Sequence, residues 1–377
     1  DTTVFAGGQL TYQITANGSA TDELGIRNQG TGAGQIGLSG TNVTYGGTTI
    51  GTYSGSFGTG STPLTVTFNS NASVAAVQAL VRNITYRNTS ENPSTATRSI
   101  SLTVSDGTGM TSTPAVLTMA VSAVNDAPVI TSVATANVAE NTTAVLTVTS
   151  SDVDGGTPTY TLSGGVDQAK FSINSSTGAL SFLSAPNYES PTDTGSNNVY
   201  DVTVQVSDGA GGTTTQSIAV SVTPVNDNTP VITSGATASV AENTTAVMTV
   251  TATDADLPAQ TLTYSIVGGA DAAKFAINSS TGALSFATAP DYEAPTDVGS
   301  NNVYDVTVQA SDGTLSSTKA IAVTVTAAND NTPVITSGAT ANVAENATAV
   351  MTVTATDADL PAQTLTYSIV GGADAAK

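Results

Sequence analysis

Apolar and polar residues alternate along many short runs of this chain. In VYDVTVQASD, Val303 to Asp312, the apolar row is Tyr304, Val306, Val308 and Ala310, while Asp305, Thr307 and Gln309 fall on the other face. A period of two predicts a half-buried strand. Ile321, Val323, Val325 and Ala327 form a second row, and Met248, Val250 and Ala252 a third that runs into the acidic turn TDAD. SSTG at Ser279–Gly282 reads as a hairpin turn between FAIN and ALSF. The Gly-rich stretch from Gly30 to Gly60 reads as further hairpins, and SVAAVQALVRNI, starting at Ser73, as a short helix.

The strand pattern repeats. NDNTPVITSG begins at Asn226 and again at Asn329, and NDAPVITS begins at Asn125, spacings of 101 and 103 residues. AEN centres on Glu140, Glu242 and Glu345, and a D-x-D pair falls at Asp152/Asp154, Asp254/Asp256 and Asp357/Asp359. NYE at Asn187 returns as DYE at Asp291. From Asn226 to Lys274 and from Asn329 to Lys377 only two of 49 positions differ, Ser239/Asn342 and Thr244/Ala347. Tandem units of that fidelity add length rather than new chemistry. About seven strands per roughly 100 residues predicts an all-β fold of immunoglobulin-like sandwiches. The predicted domains are 1–124, 125–225, 226–328 and half a unit at 329–377. The chain starts and stops inside its own pattern, so it reads as an excerpt of a longer protein.

Composition narrows the chemistry. There are 29 acids against 8 bases, a net charge of −21. Such a polyanion is repelled by nucleic acid and anionic lipid, and its natural counter-partner is a cation. Cys, His and Trp are absent. That removes disulfides, the commonest general base and the commonest zinc ligand. The expectation is therefore a protein that is not an enzyme. No apolar run is long enough to span a membrane. Several N-x-S/T triplets, at Asn17, Asn141, Asn243 and Asn278, leave a glycosylated surface open.

AEN, D-x-D, F-x-I-x-x-x-T-G-x-L, D-Y-E, Y-x-V-x-V-x-x-S-D-G and N-D-N-x-P, in that order, resemble the cadherin repeat in its bacterial form. The resemblance covers about 125–377, with a divergent, related domain at 1–124. It implies Greek-key sandwiches in a rod, with calcium between consecutive repeats. The first joint would use Asn125, Asp126, Asp152, Asp154 and Asp208. The second would use Glu140, Glu189, Asn226, Asp227, Asn228, Asp254, Asp256 and Asp312. The third would use Glu242, Asp291, Glu293, Asn329, Asp330, the backbone oxygen of Asn331, Asp357 and Asp359. Calcium takes six to eight hard oxygens, which Asp, Glu, Asn and backbone carbonyls supply. The first Asp of the family's linker is replaced here by Ala123, Pro224 and Ala327, and Asn187 replaces the Asp of DYE. About two or three ions are expected at each later joint and one at the first.

The resemblance implies a calcium-stiffened stalk of a bacterial cell-surface adhesin, extracellular, acting as a spacer. Its partners would be calcium and neighbouring repeats, with surface glycans or self-association as further partners. Two alternatives stay open: a ligand- or glycan-binding module at 1–124, and a self-assembling extracellular filament subunit.

Overall fold

The computed structural model describes residues 5–54 and 62–375, which form two compact units. One comprises the chain up to 136 with 144–181 and 201–219; the other comprises 137–143, 182–200 and the chain from 220 onward.

In the first unit a seven-stranded sheet runs in the order Ile36–Ser39, Asn42–Tyr45, Thr48–Ser54, Leu64–Phe68, Gln9–Ala16, Arg98–Val104, Ala115–Met119. The first three of these strands form two consecutive antiparallel hairpins, as their Gly-rich connections predict; 55–60 of that stretch lies outside the described residues. A two-stranded sheet, Asp22–Ile26 with Ile84–Asn88, shares the core through Leu24 and Ile26. The expected helix forms at Val74–Val81, where the Ser73 hydroxyl accepts the Ala76 N–H and Ala76, Val77, Ala79 and Leu80 are buried. An N-cap of this kind satisfies one of the unpaired donors of the first turn. Two sheets around one core are the two layers expected of a sandwich, but unequal in size.

Asp22 and Arg98 form a fully buried ion pair in this core. Burial opposes the Asp22 charge, yet donors from Tyr86, Asn88, Ser19 and Arg98 outweigh it and hold the carboxyl well below its usual range. Arg98 also donates to the carbonyls of Ser94 and Ala96, which ties down the loop before its strand. The same unit holds strands of the next hundred residues. Ala144–Thr147 pairs with 179–181, and Thr159–Gly164 pairs with 203–207.

The second unit contains a complete sandwich between 226 and 326. Its four-stranded sheet runs Thr237–Ala241, Ser316–Thr326, Val303–Ser311, Thr263–Gly268, and its three-stranded sheet runs Ala246–Thr249, Ala283–Phe286, Phe275–Ile277. Thr237–Ala241 lies parallel to its neighbour, whereas the other pairings given are antiparallel. The rows read from alternation face inward: Tyr304, Val306, Val308 and Ala310 meet Ile321, Val323 and Val325 in one core. Phe275 stacks on Phe286 at 4.6 Å, and Tyr304 meets Phe286 edge-on at 5.1 Å, the geometries that aromatic quadrupoles favour. The hairpin at Ser279–Gly282 forms as expected. Gly282 has φ +71°, and a Cβ there would lie 2.1 Å from the Val250 carbonyl oxygen, so both the turn and the packing demand glycine.

Residues 329–375 carry the near-identical copy of 226–274. Two short strands form, Val334–Ile335 and Ala355–Thr356. Ile232, Val240 and Val250 are 9%, 6% and 1% exposed; their counterparts Ile335, Val343 and Val353 are 66%, 43% and 44% exposed. Local contacts persist nonetheless. The Thr336 and Thr354 hydroxyls meet at 3.0 Å, as Thr233 and Thr251 do at 2.9 Å.

Candidate functional site

The D-x-D pairs fold locally into a turn that gathers their own carboxylates. The Asp256 N–H donates to Asp254 Oδ1 at 3.0 Å; the Asp154 and Asp359 N–H groups donate to Asp152 and Asp357 at 2.8 and 3.1 Å. The linker closes onto the second acid of each turn. Asn228 donates to Asp256 from its backbone at 3.1 Å and its amide at 2.7 Å, and Asn331 donates to Asp359 at 3.0 and 2.9 Å.

These turns bring acids from distant sequence together. At the second joint two groups converge, with carboxylate oxygens within 4.8 Å of one another: Glu140, Glu189 and Asp227, and Asp254, Asp256 and Asp312. At the third joint the groups are Glu242, Asp291 and Glu293, and Glu293, Asp330 and Asp359. Asn226 places its amide 3.1 Å from Asp312 and 3.3 Å from Asp256, where its oxygen would serve a cation and its NH2 would serve the carboxylates directly. Asn329 instead donates to Gln363 at 2.9 Å. Asp357 accepts the Asp359 N–H and lines a cavity together with Asn329 and Gln363.

At the first joint the contacts are pairwise. The Asn125 amide donates to Asp208 at 2.6 Å and the Asp126 N–H to Asp154 at 2.6 Å. A cavity of about 80 Å³ is lined by Pro128, Ser150, Asp152, Gly155, Gly156, Pro158 and Asp208.

Electrostatics separates two kinds of acid. Asp297 accepts from Asn301 and Asn302, and Asp271 from Val298 and Asp305, so backbone donors satisfy both oxygens of each. These are turn-builders, and composition alone does not distinguish them from ligands. Four of the joint acids differ: Asp152, Glu189, Asp254 and Glu293. Glu189 and Glu293 each accept one N–H, from Leu257 and Leu360, while the second oxygen is buried without a partner. One oxygen of Asp152 and one of Asp254 are orphaned in the same way. Burying a carboxylate oxygen unpaired is costly. Here it recurs at equivalent positions of successive repeats. Among the described residues no Lys or Arg pairs with the clustered carboxylates; the ion pairs Arg87–Glu23 and Arg98–Asp22 lie in 1–124.

Hydrogen bonds favour the charged form of four joint acids. The Asn125 amide and the N–H groups of 210–212 hold Asp208 below the usual carboxylate range, and Asn331 does the same for Asp359. Burial works to raise Asp256 and Asp312, but Asn228 for the first, and Thr314 and Leu315 for the second, outweigh it. Made only of oxygen ligands, each with one buried member beside half-buried or exposed ones, these clusters suit a hard divalent cation.

Glu140 and Glu242 hold a further role that motif spacing does not reveal. Glu140 accepts the Tyr188 and Val225 N–H groups, both at 2.7 Å; Glu242 accepts those of Tyr292 at 2.7 Å and Ala328 at 2.6 Å. Each glutamate therefore fastens the D/N-Y-E loop to the linker as well as facing the cluster. Asn187 caps its own turn by accepting the Ser190 N–H at 2.7 Å, and the group beside it has Glu140, Glu189 and Asp227 where the next joint has Glu242, Asp291 and Glu293.

Residues 236–326 match the cadherin domain family and residues 125–221 the bacterial Ig domain family. Human Protocadherin Fat 1 is 36% identical over 256 residues, 62% of this chain and 5% of that protein. Mouse Cadherin EGF LAG seven-pass G-type receptor 2 is 32% identical over 246 residues, 60% of this chain and 8% of that protein. The chain thus spans less than a tenth of the length of either relative. Cadherin domains 1–5 of Protocadherin Gamma B2 superpose with a TM-score of 0.51 at 21% identity, covering 93% of this chain and 59% of that one, a likeness of fold. No helix among the described residues is long and apolar enough to cross a membrane.

Proposed function

Because this chain carries cadherin-type repeats, we propose that it is a spacer segment of an extracellular adhesion protein, stiffened by calcium at its joints. The domain boundaries would be the joints at 125, 226 and 329. The observation that carries this reading is the set of buried, unpartnered carboxylate oxygens of Asp152, Glu189, Asp254 and Glu293, three of them inside acid clusters and one lining the first-joint cavity. Calcium supplies what the protein lacks there, a concentrated positive charge that accepts many oxygens in flexible geometry. The match of 125–221 to a bacterial domain family supports a bacterial cell-surface setting.

In this reading the ion acts through the chain's own residues. Asp227 and Asp330 belong to the linkers, Glu189 and Glu293 to the loops before them, and Asp256 and Asp359 to the turns after them. Neutralising their mutual repulsion holds linker, loop and turn in one arrangement. Without the cation the same charges push apart. Equilibrium calcium titration of the chain tests this: saturable uptake at several sites, with a rise in melting temperature, is the expected result. Absence of uptake refutes it.

A further inference from the structure

The Asn that follows Glu140 and Glu242 is unused by the metal reading, yet its geometry is repeated closely. Asn141 and Asn243 have φ of 62° and 61°, in the left-handed region. Their backbone N–H groups donate to the carbonyls of Pro186 and Pro290, both at 2.9 Å. Their side-chain amides donate to Asp227 Oδ2 and Asp330 Oδ2, both at 2.5 Å. One residue therefore ties the loop before the linker to the linker's own acid.

We infer that Asn141 and Asn243 are positioning residues that orient Asp227 and Asp330 and thereby set the calcium affinity of their joints, an inference that rests on the joint reading above. Two independent requirements select Asn. The left-handed backbone is tolerated by Gly, Asn and Asp and strains most other side chains. Of those three, Gly has no amide, and Asp would set a carboxylate against a carboxylate. Asn alone both fits the turn and donates. Asn346 keeps the turn, with φ 65°, in the near-identical copy. The backbone conformation is thus local. The other oxygens of Asp227 and Asp330 accept the Asn228 and Asn331 amides, both at 3.1 Å; a ligand acid held by such outer hydrogen bonds presents its remaining lone pairs in a set direction, and loss of one outer partner typically costs about 10–100-fold in metal affinity.

The test compares the full chain with its Asn243→Gly and Asn243→Asp forms, by calcium isotherm and by melting in chelator. Asn243→Gly keeps the turn and removes the donor. Expected are unchanged ion number, binding at the third joint weaker by about tenfold, and unchanged melting in chelator. Asn243→Asp also keeps the turn but adds a charge, so a site governed by charge alone would bind tighter, whereas positioning predicts weaker binding. Parent-like binding by Asn243→Gly, or tighter binding by Asn243→Asp, overturns the inference while leaving the joint reading intact. A parent chain that binds no calcium overturns both.

Discussion

The Leu360 N–H donates to Glu293 at 2.9 Å, linking the turn after the third linker to the loop before it, and Leu257 makes the same bond to Glu189 at 3.1 Å. Each bond satisfies one carboxylate oxygen and leaves the other buried and bare. Glu293→Gln keeps the shape and removes the charge. It is expected to weaken calcium binding by about tenfold, while melting in chelator stays level or rises because a like charge has left the cluster. Paired melting curves check this, and a fall in chelator alone would show that Glu293 serves only the apo fold.

The duplicated segment offers an internal control on packing. Ile232 lies in the core of the 226–326 sandwich and Ile335 is open to solvent. Ile232→Ala should cost about 2–5 kcal/mol. Ile335→Ala should stay within about 0.5 kcal/mol. Denaturant melts of the two variants give the comparison directly.

That contrast also shows what the sequence could reveal. Alternation placed Tyr304, Val306, Val308 and Ala310 in the core, and the motif order assembled the acids of the second and third joints. Local contacts, such as the Asp357–Asp359 turn and the Thr336–Thr354 pair, form in both copies because neighbouring residues encode them. Burial of Val240 but not Val343 depends on strands outside the copied segment, which no local pattern carries. The same limit hid the split among the acids. Asp297 and Glu293 look alike in composition, yet backbone donors satisfy one and leave the other short. The unequal sheets of 1–124 and the buried Asp22–Arg98 pair likewise depend on contacts across 76 residues.

Asp22 predicts an acid limb. Its carboxyl is depressed in the folded state, so the stability it contributes is present above its unfolded value, about pH 4, and is lost as pH falls toward the lower folded value. Asp22→Asn would leave Arg98 buried without an anion, costing about 3–5 kcal/mol. Urea melts from neutral pH to pH 3 should show the parent losing stability in this region more steeply than the variant.

The joints should differ in ion content. The first joint offers pairwise contacts and one small cavity, whereas each later joint gathers two acid groups. Calcium counted at saturation should therefore fall more on charge-neutralising Asp227 and Asp256 together than on neutralising Asp152 and Asp154. Equal losses would contradict this ranking.

The central claim is that calcium at the joints fixes one repeat against the next. Small-angle X-ray scattering of the chain, in excess calcium and then in chelator, reads this most directly. The account predicts a narrow distribution of interatomic distances in calcium that broadens into a flexible profile once the ion is removed. Superimposable profiles in the two conditions would contradict it.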